Sequence, residues 1–243
     1  MKSVYIIKVG TTFAKTAERF GDFDAWTIAG LAAGDLGIRT VDVEKGAALP
    51  DPESCAGVVI TGSHAMVTDR LPWSIAVEAW LPMALGAEIP LLGICYGHQL
   101  LAQAMGGEVG FHPRGKEIGT VSVHMRDEAE NDALFRGLPR TFAAHVTHAQ
   151  SVFRLPPKAV HLAFNAYEPY HAFRIGECAW GVQFHPEYDV RIMRDYIEAQ
   201  ADELETAGRN VQEIRDAVTD TPVAASLLKV FTGLIRSRSM ART

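Results

Sequence analysis

Cysteine is scarce in this chain: Cys55, Cys95 and Cys178 are the three in 243 residues. Thiols so few and so scattered exclude a disulfide-stapled scaffold and point to a reducing cytoplasm. No apolar run is long enough to span a bilayer, which excludes a membrane-spanning helix. The opening MKSVYIIKVG has one short apolar run, broken by Lys8, and no small-residue cleavage site, so it reads as a first strand rather than a secretory leader. Positive charge is not in excess either. Lys and Arg number 23 against 29 Asp and Glu, and the formal charge of −6 offers no attraction to nucleic acid or an anionic membrane. Repeats and low-complexity runs are absent. What is present, 48% hydrophobic and 21% charged residues, fits one α/β domain with a sizeable core, or one domain with an appendage.

Short apolar strands alternate with helical patterns along the chain. Residues 4–9, 38–43 and 57–61 read as strands, with residues 10–23 as a loop and a helix over 25–33. Residues 72–85 form an amphipathic helix opened by a favourable proline, and Trp73, Val77, Trp80 and Leu81 recur along it as core positions. Ile89, Leu91, Leu92 and Ile94 make the nearly continuous apolar run of a strand buried on both faces. Further strands are expected at 108–111, 117–124, within 142–152, and at 160–165, 171–175 and 179–184. From residue 190 the pattern is helical. Ile192, Met193, Tyr196 and Ile197 share one apolar face, and Leu227, Leu228, Phe231, Leu234 and Ile235 share another. The alternation implies an α/β fold with a doubly wound, mostly parallel central sheet flanked by helices, a flavodoxin-like three-layer arrangement. Residues 1–189 are expected to form one domain, and residues 190–243 a helical extension packed on it. In such folds ligands bind beyond the carboxyl ends of the strands, which gathers residues 10–23, 62–71 and the turn after Ile94 in one place.

That turn carries the strongest chemical signal. Gly93-Ile94-Cys95-Tyr96-Gly97 has the layout of a nucleophile elbow, with cysteine in the nucleophile's position. Glycines flank the turn because backbone passes too close there for side chains. Leu100, Leu101, Ala104 and Met105 then form a helical face ended by Gly106-Gly107, so Cys95 stands at the positive end of a helix, where thiolate is favoured over thiol. A lone cysteine is more often a small buried apolar residue; the elbow glycines favour the nucleophile. A base is offered by Gly181-Val182-Gln183-Phe184-His185-Pro186-Glu187, where a strand ends at a histidine. Residues two apart in extended chain point the same way, so Glu187 can accept a hydrogen bond from one nitrogen of His185 and leave the other free to move a proton.

Two further patterns are set aside. Gly110-Phe111-His112-Pro113-Arg114-Gly115-Lys116-Glu117 nearly spells a phosphate-binding loop, but Glu117 replaces the metal-binding hydroxyl residue and a strand pattern follows where a helix is required. His145 and His148 stand three apart on a strand, facing opposite sides, and do not chelate one ion.

Taken together, G-I-C-Y-G-H-Q and, much later, G-V-Q-F-H-P-E resemble the class I glutamine amidotransferases. With TGS upstream and GKEIG downstream, the likeness is greatest to the amidotransferase domain of GMP synthase and its stand-alone relatives. It covers residues 55–190 well, the first strands loosely and the C-terminal tail not at all. The resemblance implies a Cys95, His185 and Glu187 triad that hydrolyses glutamine or a γ-glutamyl compound through a cysteinyl thioester, with no metal or organic cofactor. It implies an oxyanion site from the Ser63 and Tyr96 amides, with Gly62 allowing the turn. Relatives usually have a second glycine and a proline where this chain has Ser63 and His64, which leaves open which amide after Thr61 faces inward; His64 reads as a solvated loop histidine. It also implies substrate contacts at Gln99 and along His148, Ala149 and Gln150, although Gln150 stands where the family's S-H-x-D stretch has Asp. The implied partner is a separate synthase that receives ammonia, with no nucleic acid or membrane involved. A γ-glutamyl peptide hydrolase using the same triad, and a catalytically silent binding protein on this fold, are the other readings.

Overall fold

The structure, a computed structural model, describes residues 2–241. Its first half runs β1 (Ser3–Lys8), α1 (Ala14–Phe20), α2 (Phe23–Leu31), β2 (Ile38–Asp42), β3 (Cys55–Ile60), α3 (Pro72–Gly86), β4 (Leu91–Ile94) and α4 (Tyr96–Ala104). Then come the strands β5 (Glu108–Phe111), β6 (Glu117–Met125), β7 (Thr141–His148), β8 (Gln150–Arg154), β9 (Val160–Phe164), β10 (Ala172–Ile175) and β11 (Ala179–Val182). Four helices close the chain: α5 (Val190–Ala199), α6 (Ala201–Thr206), α7 (Val211–Asp216) and α8 (Pro222–Ala241).

Nine strands form one sheet in the order β2-β1-β3-β4-β11-β10-β9-β6-β7. From β2 to β11 neighbours pair in parallel, and from β11 to β7 they pair antiparallel. The doubly wound, mostly parallel sheet expected from the alternation is therefore present, extended by an antiparallel wing. Helices on both faces explain why β4 reads as an unbroken apolar run, since all four of its residues are buried. Its register beside β11 pairs Ile94 with Val182, so both strands release their next residues at the same edge.

Three local differences from the sequence reading have physical causes. Residues 10–23 are not one loop, because Ala14–Phe20 is helical. This helix buries only Thr16 and has no apolar stripe to announce it. The next helix spans 23–31 rather than 25–33, because the Asp22 carboxylate accepts the Phe23 amide at 2.8 Å and caps it there. The stretch 142–152 is two strands, with β7 in the large sheet and β8 paired with β5 in a small one. Ala149 is the crossing point. Beyond residue 190, Leu227, Leu228, Phe231 and Ile235 of α8 are buried in the core shared with β4 and β11, while Leu234 is partly buried against it. Ile192, Met193, Tyr196 and Ile197 of α5 pack with Phe23 and Trp26.

Candidate active site

The elbow is under the strain its sequence announces. Cys95 has φ 50° and ψ −97°, a conformation that costs a non-glycine residue about 1–3 kcal/mol. Its amide is tied to the Val182 carbonyl at 2.8 Å and its carbonyl to the Gln99 amide at 3.1 Å, which fixes it between sheet and helix. The flanking glycines are sterically required. A Cβ on Gly93 would meet the Gly97 carbonyl oxygen at 2.4 Å, and one on Gly97 would meet the Ile60 carbonyl oxygen at 2.6 Å. The sulfur, nearly buried, lies 3.8 Å from the Thr147 carbonyl.

His185 reaches the same spot from the end of β11. Its amide donates to the His145 carbonyl at 2.8 Å, and its Nδ1 lies 2.7 Å from Glu187 Oε1. A carboxylate accepts only, so Nδ1 carries the proton. Nε2 has no hydrogen-bond partner among the described residues. The ring stacks on Tyr188 with centroids 4.1 Å apart. Burial alone lowers the imidazole's pKa, but the charges of Glu187 and Cys95 outweigh it and push it up to about 10. An imidazolium facing a sulfur is the electrostatic arrangement a cysteine nucleophile needs.

These groups open into a cavity of about 550 Å³. As expected, the loop after β1, the loop after β3 and the elbow converge there, through Phe13, Ser63 and Cys95. Ser63 Oγ accepts the Ala65 amide at 3.1 Å, and a Cβ on Gly62 would come within 3.0 Å of His185 Cε1, so the backbone passes close to the imidazole. The Tyr96 side chain turns away to Ser74, at 2.6 Å, leaving its backbone at the cavity. His64 reaches solvent at the cavity mouth, although Phe13 lies 4.2 Å from its ring. Desolvation by that aromatic surround, followed by the charges of Lys116 and His185, pushes it down to about 4.

The side chains expected at the substrate are engaged with the protein. Gln99 Nε2 donates to the Gln150 carbonyl at 2.7 Å and to Gln183 Oε1 at 3.0 Å. His148 lies between the Gln150 carbonyl and Glu117 Oε2, both at 3.0 Å. The Gln150 carboxamide accepts the Val67 amide at 3.0 Å and donates to Thr68 Oγ1 at 2.6 Å. Ala149 lines the cavity, its carbonyl accepting the His112 amide at 2.9 Å. His145 and His148 do face opposite ways, His145 toward Thr120 and His148 toward Glu117. Sequence reasoning missed the wall beside Thr147, which Tyr196, Gln200, Asp202 and Glu203 of the C-terminal segment share with Lys116. Lys116 lies in the stretch set aside as a failed phosphate loop and in the GKEIG motif of the resemblance, but no site role was read for it, and nothing local marks the others as cavity residues.

A parallel α/β sheet that delivers a cysteine at a strained elbow, with a histidine and a glutamate at the end of the adjacent strand, describes an α/β protein with a cysteine triad. The chain belongs to the family described as glutamine amidotransferase class-I, whose sequence profile matches residues 36–202. It is 39% identical over 142 residues to the glutamine-hydrolyzing GMP synthase of Aeropyrum pernix, a match covering 58% of this chain and 25% of that one. It is 34% identical over 170 residues to a glutamine-hydrolyzing GMP synthase subunit of Archaeoglobus fulgidus, covering 68% of this chain and 86% of that one. Against the corresponding subunits of Pyrococcus furiosus and Methanococcus vannielii the match spans 51% and 54% of their length. The crystal structure of a glutamine amidotransferase from Thermotoga maritima has the same fold, with a TM-score of 0.77 over 97% of this chain and 99% of that one, at 24% identity. Among the described residues no helix is long and apolar enough to cross a membrane.

Proposed function

We propose that the chain hydrolyses the γ-amide of glutamine and passes the ammonia to a separate synthase. The observation that carries this is the pairing of Cys95, on its elbow, with an imidazole held by Glu187 at 2.7 Å. The Cys95 thiolate attacks the amide carbon, forming an S–C bond and an oxyanion that the Ser63 and Tyr96 amides receive, with Gly62 keeping the loop close. The C–N bond breaks as His185 gives its Nε2 proton to the leaving nitrogen, so ammonia departs and a γ-glutamyl thioester remains. His185 then takes a proton from water, the hydroxide attacks the thioester, the C–S bond breaks and glutamate leaves. Glu187 keeps the imidazole oriented and charged between steps. The chemistry needs no metal or organic cofactor. Gln99 and the backbone of His148, Ala149 and Gln150 form the cavity wall beside the substrate.

Delivery to another chain is supported by the relatives' names, since several of them are named as one subunit of a glutamine-hydrolyzing synthase. Residues 190–243 are an extension of the amidotransferase domain of residues 1–189, supported by the burial of Phe231 and Leu228 in the sheet's core. Three buried cysteines, too few and too scattered for a disulfide framework, suit the reducing cytoplasm as the place of action. Glutamate release by the purified chain from glutamine and from a panel of γ-glutamyl peptides tests the reading. Release from glutamine, accelerated by a synthase partner, is expected; preferential cleavage of peptides would overturn it in favour of a peptide hydrolase.

A further inference from the structure

If glutamine is the substrate, its α-carboxylate must be received somewhere in the cavity, and the imidazoles there are spoken for. His148 is committed to Glu117 and the Gln150 carbonyl, and His185 to Glu187. His64 is neutral near pH 7. Among the described residues lining the cavity, Lys116 is the one lysine or arginine.

Its placement is templated. Gln200 Nε2 donates to the Tyr196 carbonyl at 2.9 Å and approaches Thr147 Oγ1 at 3.4 Å. That fixes which end of the carboxamide is oxygen, and Gln200 Oε1 accepts from Lys116 Nζ at 2.7 Å. A second Lys116 N–H donates to Glu203 Oε2 at 2.7 Å, and that carboxylate is 61% exposed, so the pair is weakly held. An ammonium has three donors, and among the described residues the third meets no hydrogen-bond acceptor. Thr147 links the two ends of this wall, its carbonyl 3.8 Å from the Cys95 sulfur and its hydroxyl beside Gln200. In glutamine the amide carbon and the α-carboxylate are likewise separated, by Cγ, Cβ and Cα.

We propose that Lys116, held by Gln200 and Glu203 of the C-terminal helices, is the specificity determinant that receives the substrate's α-carboxylate. This rests on the glutamine reading above. It gives α5 and α6 a direct part in choosing the substrate and gives the failed phosphate loop a use.

Calorimetric titration of the full chain carrying Cys95→Ala tests binding apart from turnover, with L-glutamine and with 4-aminobutyramide, which is glutamine without the α-carboxylate. Adding Lys116→Met is expected to weaken glutamine by about 10- to 100-fold, the size of a lost charge-assisted hydrogen bond, and to leave 4-aminobutyramide unchanged. Lys116→Arg restores part of the loss. Equal weakening of both amides, or a lower Tm with the preference for glutamine intact, would make Lys116 a staple for α6 and overturn the proposal. Glutamine that binds in a Lys116-dependent way to a chain that never releases glutamate would instead sink the proposed reaction and leave this inference standing.

Discussion

The two walls of the cavity are built by opposite means. On the sulfur side the parts are contiguous in sequence, sterically forced and nearly free of alternatives, because Gly93 and Gly97 have no room for a side chain and Cys95 is held in a strained conformation by hydrogen bonds on both sides. On the far side Lys116, Tyr196, Gln200 and Glu203 come from distant segments and meet through side-chain hydrogen bonds that water can replace. Backbone fixes the position of the sulfur, whereas side chains alone set the position of Lys116. The same α/β frame thus combines a rigid edge with an adjustable one.

The sharpest way to break that contrast is at the sulfur. Cys95→Ala is expected to reduce glutamate release on the order of 10⁶-fold while leaving thermal unfolding nearly unchanged, and a variant that retained full activity would remove the triad from the mechanism. Next in size is Glu187→Gln, which should cost roughly 10³- to 10⁴-fold in kcat. It also has a signature in pH. The folded His185 holds its proton up to about 10 against an ordinary 6.5, so the charged pair stabilises the fold fully below pH 6.5 and is lost as pH rises through 10. Urea unfolding at steps between those pH values should show stability falling in the wild type and falling less steeply in Glu187→Gln. Parallel slopes would mean that Glu187 does not set the charge on His185.

The helical extension that carries the far wall is tested by stability. Phe231 of α8 is fully buried, its ring 6.3 Å from Trp180, and Phe231→Ala should cost about 3–5 kcal/mol in one cooperative transition. A separate early transition confined to the last four helices would show that the extension is an independent unit. The smallest effect is reserved for Gln200→Ala, which loses its bonds to Lys116 and the Tyr196 carbonyl and should cost about 1 kcal/mol, with a higher KM for glutamine and an unchanged rate of Cys95 alkylation by iodoacetamide. A fall in the alkylation rate would mean that the two walls are mechanically coupled.

Legibility in the sequence follows the same division. The elbow could be read because the steric demand on two glycines is local; His185 and Glu187 were paired by an extended-chain argument, whereas it is a turn over Pro186 and Glu187 that brings them together. The parallel sheet was visible in strands such as β4, which are apolar throughout because both faces are covered. Helix α1 was not visible, since its hold is tertiary: Thr16 donates to Asp195 at 2.6 Å and Arg19 pairs with the same carboxylate. Gln150 shows the opposite failure. Its position beside the substrate stretch marks it for a ligand, yet its carboxamide ties down Val67 and Thr68, a use that only the folded loop after β3 discloses. Lys116 stands in GKEIG without any pattern that aims it at the cavity, and Gln200 carries no periodicity or spacing.

One consequence of the strand order concerns the chain as it is made. β4 has β3 and β11 as its neighbours, so the strand carrying the thiol is completed in space by the last of the sheet's strands to be synthesised. As the polypeptide leaves the ribosome, Cys95 emerges first and stays without its imidazole until β11 docks and brings His185 down beside it. In a nascent or prematurely terminated product the thiol thus has no base beside it, and the event that closes the sheet is the one that brings the two together.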